Sequence, residues 1–265
     1  MKVGIVGSLG VVGGACKFGF EKLGHDIVEH DILIESKIQD IINTDICFLC
    51  VPTPSKEDDS CDTSIVHDCL KSLSHLNYEG IVAIKSTVTP GSTREFSTEF
   101  DNLRLCFVPE FLRERCAITD FVEMHDLLAI GTEDPDVFDV VKSVHGNYPK
   151  KVVQLSVTEA ELLKYYSNCF NAMKIIFANE FFAVCEKLGA RYKNIKDAYI
   201  LRGMMKDLYL DVNEKWGGYA GMCLPKDVKA MKSLVSKLDL DMDIFRFLDD
   251  ENRKFNSTVP EGMRK

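Results

Sequence analysis

Near the far end of the chain, one cysteine stands where its thiol could act as a nucleophile. The stretch Gly218-Tyr219-Ala220-Gly221-Met222-Cys223-Leu224-Pro225-Lys226-Asp227 places Cys223 behind a glycine-rich turn and just ahead of a proline suited to the first turn of a helix. The positive end of that helix and the nearby Lys226 both favour thiolate over thiol. Asp227, about one helical turn further on, could orient a water or relay a proton. The same residues also fit a helix cap around a buried, inert cysteine. Upstream, Lys164 and Asn168 are spaced i, i+4 within a helical pattern and so share one face. In isolation such a pair is ordinary solvated surface.

A second constellation opens the chain. Met1–Gly7 reads as a short apolar strand, followed by the turn Gly7-Ser8-Leu9-Gly10-Val11-Val12-Gly13, a helix to about Leu23, and a second strand His25–His30 that closes on Asp31. That is the order of a dinucleotide-binding unit. Gly7, Gly10 and Gly13 let backbone N–H groups, with those of Val11 and Val12, approach a pyrophosphate at the helix N-terminus, and Asp31 can bond the adenosine ribose hydroxyls. An acid there disfavours a 2′-phosphate, so NAD is expected over NADP. The glycine spacing departs from G-x-G-x-x-G, with one inserted residue or Ser8 in the first glycine's place.

The elements that must position these groups continue the alternation of strand and helix. Asp45–Val51 is a strand running into Pro52-Thr53-Pro54, Thr63–Leu76 is helical with Asp62 near its start, and Gly80–Lys85 is a strand ending at Ser86-Thr87. Leu103–Val108 ends at Pro109-Glu110, Leu127–Gly131 and Lys151–Gln154 are further strands, and Pro135–Val144 is a helix. The pattern predicts a Rossmann-like, mostly parallel sheet with helices on both faces. The first turn, Asp31, Thr53, Thr87 and Glu110 all fall at the carboxyl ends of strands, the edge where open α/β sheets bind ligands. From Ser156 the pattern becomes helical. Thr158 with Glu161 reads as a capping box, Gly189 as a stop, and the long helix between them is apolar on several faces over Phe170–Val184, which predicts a homodimer through it. Helices follow over Asn194–Leu210, Pro225–Leu238 and Asp243–Phe255, and Asn256–Lys265 is expected to fray. Two domains result: residues 1–155, binding NAD, and a helical, dimerising domain over 156–265 that carries Cys223.

Composition narrows the chemistry. The 265 residues carry 32 Lys and Arg against 41 Asp and Glu, a net charge of -9, with no basic stripe, so nucleic acid is not an expected partner. No apolar run reaches membrane-span length, the N-terminus reads at once as a strand, and a cytoplasmic protein is expected. Ten cysteines without a secretion signal read as reduced thiols, and Cys47 and Cys50, inside the apolar run Ile46–Val51, read as strand residues, with no metal site expected.

Five separated motifs, in order, make the chain resemble the nucleotide-sugar dehydrogenases of the UDP-glucose/GDP-mannose dehydrogenase family. They are Val51-Pro52-Thr53-Pro54; Ser86-Thr87-Val88 with Pro90-Gly91-Ser92; Pro109-Glu110-Phe111-Leu112-Arg113-Glu114; Glu161…Lys164…Asn168 with Asn179-Glu180; and the Cys223 stretch, with Tyr219 and Ala220 replacing a Phe and a Gly. The resemblance implies oxidation of a sugar 6-hydroxymethyl group to a carboxylate with two NAD, as in nucleotide-sugar metabolism for polysaccharide biosynthesis. Cys223 would form a thiohemiacetal and then a thioester. Lys164 and Asn168 would stabilise the oxyanion, Lys164 serving also as a base, while Asp227, Glu110 and Thr87 would hold or activate water. Val51, Pro52, Thr53, Ser86, Thr87 and Glu114 would lie along NAD with the glycine turn and Asp31. Glu110, Phe111, Leu112, Arg113, Lys164, Asn168, Tyr219 and Gly221 would line the substrate. Relatives continue into a further nucleotide-binding domain, so another polypeptide supplying it is an expected partner. They also place an Arg, reaching into a partner subunit's site, where this chain has Asp207 beside Lys206. The alternatives are an NAD-dependent dehydrogenase of a smaller hydroxy substrate and a non-catalytic NAD-binding or assembly remnant.

Overall fold

Alternate residues along the strands of the first part pack into two different cores, and that alternation builds the fold. The computed structural model describes residues 1–212 and 217–255. Its strands β1 (Lys2–Val6), β2 (Asp26–His30), β3 (Ile46–Leu49), β4 (Ile81–Ile84), β5 (Arg104–Phe107), β6 (Leu128–Gly131) and β7 (Val152–Leu155) form one sheet in the order β2-β1-β3-β4-β5-β6-β7. Every neighbouring pair is parallel except β5 and β6, which meet antiparallel at Phe107 and Gly131. Ile46 and Phe48, Ile81 and Ala83 face one core with Phe20 of α1 (Val11–Lys22), Phe121 of α4 (Ala117–Val122) and Val141 of α5 (Pro135–His145). Cys47 and Leu49, Val82 and Ile84 face the other with Leu70 of α2 (Ser64–His75), Phe96 of α3 (Ser92–Glu99) and Ala160. Helices therefore cover both faces, as the sequence pattern predicts. Each fully buried Phe or Leu side chain contributes about 1.5–3 kcal/mol, so a one-residue slip of register would be prohibitive.

The chain divides into two compact units, Met1–Pro54 with Cys61–Lys164, and Ser55–Ser60 with Tyr165–Lys265. Helix α6 (Val157–Leu188, 32 residues) contributes to both. The second unit's core gathers Cys169, Ala172 and Ile176 of α6, Tyr219, Val228 of α8 (Leu224–Lys237) and Leu248 of α9 (Ile244–Asn252). The short segment Ser55–Ser60 joins it through Asp59, 2.7 Å from Lys232, and Asp58, 3.2 Å from Lys237.

Two expectations are corrected. The capping box of α6 is Ser156 with Glu159, not Thr158 with Glu161: the Glu159 carboxylate accepts from Ser156 N at 2.8 Å and from Ser156 Oγ at 2.7 Å, and Glu159 N donates to Ser156 Oγ at 3.3 Å. Ser156-Val157-Thr158-Glu159 satisfies the same pattern two residues earlier and starts the helix first. The helix expected over Asn194–Leu210 stops at Ile200, giving α7 (Tyr192–Ile200). Gly203 beyond it has φ +72°, and side-chain bonds hold the irregular stretch that follows: Lys196 to Asp207 and Asp211, Tyr192 Oη to Leu210 O. The tail Asn256–Lys265 lies outside the described residues. Among them, no helix is long and apolar enough to cross a membrane, and no His, Cys, Asp and Glu cluster could hold a metal.

Candidate active site

The glycine turn after β1 is built so that no side chain intrudes. Gly7 has φ +85°, and a Cβ added to it would lie 2.6 Å from Cys50 O; a Cβ on Gly13 would lie 2.1 Å from Gly7 O. Gly10 is the N-cap of α1, with no side chain capping it. The first N–H groups of α1, including those of Val11 (exposed) and Val12, thus begin a helix whose positive end no side chain among the described residues caps. Asp31, at the end of β2, accepts from Leu9 N at 3.0 Å through one oxygen and from Leu33 N at 3.0 Å through the other. This ties the acid to the turn, with each carboxylate oxygen keeping further acceptor capacity. A backbone cradle that a Cβ would fill, with an acid beside it, fits a dinucleotide.

The next strand ends carry the other groups of the first unit. Ser86 Oγ donates to Val51 O at 2.8 Å, locking the ends of β3 and β4 together, and Cys61 Sγ donates to Thr87 O at 3.3 Å. Thr53 is buried, while Pro52 is exposed. Glu110, after β5, is buried with its carboxylate 3.0 Å from Lys85 Nζ. Burial pushes the Glu110 carboxyl up, but the Lys85 charge wins and holds it below the ordinary glutamate value; burial likewise pulls Lys85 down, and the Glu110 charge more than restores it. Lys164, buried on α6, donates to the backbone carbonyl of Glu110 at 2.5 Å and lies 5.8 Å from the Phe111 ring centroid. Phe111 and Leu112 are half-buried; Arg113 is turned onto Asp120 in a forked pair, at 2.6 and 2.9 Å, and Glu114 is exposed in a short 3-10 helix, Glu114–Cys116.

Two residues of this unit have roles that the sequence did not reveal. Lys85 directly follows the fully buried strand β4, and a lysine closing an apolar run is the signal that could have revealed it. Glu161 lies within the helical run, released by the true capping box. Its buried carboxylate accepts from Gly91 N at 2.6 Å and Thr93 N at 2.8 Å, capping α3 from another helix. It thereby fixes the first turns of α6, and so Lys164, against the loop that follows β4. Glu161→Ala is expected to cost about 1–3 kcal/mol in denaturant unfolding, since two helix N–H groups lose their acceptor. Burial raises the Glu161 carboxyl above its ordinary value despite these bonds. A group raised in the folded state stabilises most below its unfolded value, about 4.3, and loses that contribution as pH rises through the folded one. The gap between wild type and variant should therefore narrow with rising pH across the acid range; a gap that widens contradicts the assignment.

In the second unit, Cys223 is the exposed N-cap residue of α8 and Pro225 lies in its first turn. Asp227 is fully buried one turn on. Its carboxylate accepts from Asn168 Nδ2 at 2.6 Å and pairs with Lys226 Nζ at 2.8 Å, while its N–H donates to Cys223 O at 2.9 Å. Asn168, Lys226, Asp227 and the Cys223 backbone are thus one network. Tyr219 behaves as a core residue: its side chain is buried, its hydroxyl donates to Leu248 O at 3.0 Å, and its N–H donates to Asn252 Oδ1 at 2.6 Å. Gly221 has φ +96°, which only glycine takes without strain. Asp207 is held within its own chain by Lys196, at 2.9 Å.

Comparison with family models finds one family in both parts of the chain. Residues 33–148 match the NAD binding domain of the UDP-glucose/GDP-mannose dehydrogenase family and residues 158–254 match the central domain of the same family. A UDP-glucose 6-dehydrogenase of Rickettsia bellii is 32% identical over 85% of this chain and 53% of its own length. One from Bacillus subtilis is 30% identical over 78% and 48%. Among solved structures, a UDP-glucose dehydrogenase from Pyrobaculum islandicum superposes with a TM-score of 0.85 at 27% identity, covering 96% of this chain and 68% of that one. The chain spans about half the length of the curated relatives it matches. By two consecutive domain matches, sequence identity and fold, it belongs to the UDP-glucose/GDP-mannose dehydrogenase family, a family of NAD-linked oxidoreductases.

Proposed function

We propose that this chain takes part in the NAD-dependent oxidation of a nucleotide sugar, UDP-glucose-like, at its 6-hydroxyl to a carboxylate. The observation that carries the reading is the second unit's network: Asp227, fully buried, is bonded by Asn168 and Lys226 one helical turn from an exposed Cys223 at a helix N-terminus. A cap around an inert cysteine has no use for a buried, doubly held carboxylate at that spacing. Bound NAD supplies the hydride acceptor for both oxidations. It would be held by Gly7, Gly10, Val11, Val12 and Gly13, by Asp31, and by Val51, Pro52, Thr53, Ser86 and Thr87, with Glu114 supporting.

The remaining steps fall to side chains. Lys164 takes the proton of the 6-hydroxyl in the first oxidation. Cys223 then attacks the aldehyde carbon, and Asn168 with Lys164 donates to the oxyanion so formed. After the second oxidation the thioester carbon is attacked by a water that Asp227, Glu110 and Thr87 hold, releasing the carboxylate and restoring the thiol. Phe111, Leu112, Arg113, Tyr219 and Gly221 would shape the substrate's surroundings, Tyr219 through its backbone. Measuring NADH against UDP- and GDP-sugars tests the reading: two NADH per sugar is expected, and no turnover with any of them defeats it.

Two further results are expected. Gly13→Ala should weaken NAD binding at least about tenfold and cost about 1–3 kcal/mol, because its Cβ would meet the Gly7 carbonyl at 2.1 Å; calorimetric titration with NAD alone reads the first effect, and unchanged affinity contradicts it. A homodimer through α6 is proposed from Phe177, Phe181 and Val184, which are 62%, 39% and 50% exposed on that helix. Sedimentation should give about twice the 29.9 kDa chain mass, and a monomer at high concentration removes the proposal.

A further inference from the structure

We propose that Lys85 is a positioning residue: its buried ammonium fixes the Glu110 side chain as a charged, acceptor-only carboxylate at the carboxyl edge of the sheet. The assignment rests on the reading of Glu110 as a group that holds the hydrolytic water. Lys85 follows β4 directly, and its N–H is bonded to Leu49 O at 2.9 Å, so its backbone belongs to the sheet. Its side chain is 1% exposed, that of Glu110 10%, and Nζ lies 3.0 Å from Oε2. The other carboxylate oxygen accepts from Phe111 N at 2.8 Å, and the Glu110 main-chain carbonyl is held by Lys164. Two lysines from separate elements therefore grip one residue at both ends, Lys85 at the carboxylate and Lys164 at the backbone.

Among the groups around the pair, Lys85 is the cation that acts most strongly on the carboxylate. His125, beyond α4, is lowered from its ordinary value chiefly by burial, and where it is charged it adds to Lys85 in holding Glu110 down. His145, which faces Lys85 from α5, is kept neutral by burial and then by the lysine's charge. Cys16 of α1 and Cys50 after β3 lie beside Lys85, and burial raises the Cys16 thiol so that it stays protonated. A carboxylate held so firmly in its charged form is a poor proton acceptor but a fixed hydrogen-bond acceptor. It orients a water by receiving its O–H and leaves proton removal to another group. Without Lys85, burial would be opposed only by the weaker effects of the Phe111 N–H bond and the His125 charge, and would push Glu110 toward the protonated form, a donor aimed at the same water.

The test titrates Glu110 directly, by carboxyl NMR of the chain labelled at glutamate, the Glu110→Gln variant assigning the signal. In the wild type it should stay charged to below the ordinary glutamate range. In Lys85→Met its titration should move up by about 1–3 pH units, and Lys85→Arg should return it. The acid limb of the pH–rate profile should move with it. A wild-type Glu110 titrating at the ordinary value, or an unmoved titration in Lys85→Met, overturns the proposal. If Lys85→Met does not fold, the double variant Lys85→Met/Glu110→Gln decides: removing both charges should recover stability relative to Lys85→Met, and a further loss overturns the pairing. The titration and the stability comparison need no turnover. Inactivity on every sugar nucleotide would defeat the proposed function while the titration still judges Lys85, and a shifted titration with an unmoved rate profile would remove Glu110 from the reaction and Lys85's role with it.

Discussion

Cys223→Ser should fall by about 10⁴-fold or more in carboxylate formation while the protein stays as stable as the wild type. The two halves of that expectation have one structural cause. Cys223 is the N-cap residue of α8 and makes no side-chain cap of its own. Serine differs from cysteine by one atom, and Cys223 is exposed with helical backbone angles (φ -100°, ψ -57°), so the substitution should cost little locally. The chemistry is another matter, because a serine hydroxyl stays protonated where a thiol is in part ionised at neutral pH. The variant should therefore release no more than one NADH per sugar, with the aldehyde recoverable by a carbonyl trap. Two NADH per sugar at the wild-type rate would exclude Cys223 as the nucleophile, and equal stability would show that nothing else had changed.

Lys164→Met should lower kcat by about 10²–10⁴-fold, the range for a lost proton acceptor or oxyanion donor. Methionine keeps much of the side chain's length and apolar stem, so the core around α6 is preserved. What is lost is the Nζ group that donates to the Glu110 carbonyl at 2.5 Å in a buried setting. Leaving that carbonyl without its donor should cost about 1–3 kcal/mol, read by denaturant unfolding. Single-turnover measurement of the first hydride transfer separates the chemical loss from weakened binding. A kcat within tenfold of wild type would reduce Lys164 to a structural donor for Glu110.

The two variants differ in a useful way. Cys223 lies on a surface turn of the second unit and its replacement acts on reactivity alone. Lys164 is built into the first unit, and its replacement acts on the backbone of Glu110 as well. Asn168, one turn further along α6, is bonded to Asp227 across 59 residues of sequence. The first turns of α6 thus carry, at three- and four-residue spacing, a cap for another helix, a buried lysine that holds a backbone carbonyl and a donor to a buried carboxylate.

The sequence by itself determined the sheet, the glycine turn and the long helix, because each depends on short-range rules. Period-two alternation sorts strand residues to two faces, glycine alone allows the Gly7–Gly13 approach, and an S-x-x-E pattern begins a helix wherever it first occurs. Read two residues late, that last rule hid Glu161. Motif order alone also gave the family, and through it the proposal of Cys223, Lys164, Asn168 and Asp227 as site residues. Only the tertiary structure decided what the charged residues do. Lys85 and Glu110, Glu161 and the start of α3, Lys196 and Asp207 are partners that no spacing announces. Any lysine can pair with any acid, and the choice follows from which of them the sheet register and helix packing bury together. A buried charge must find a partner, and the fold, once formed, leaves it very few.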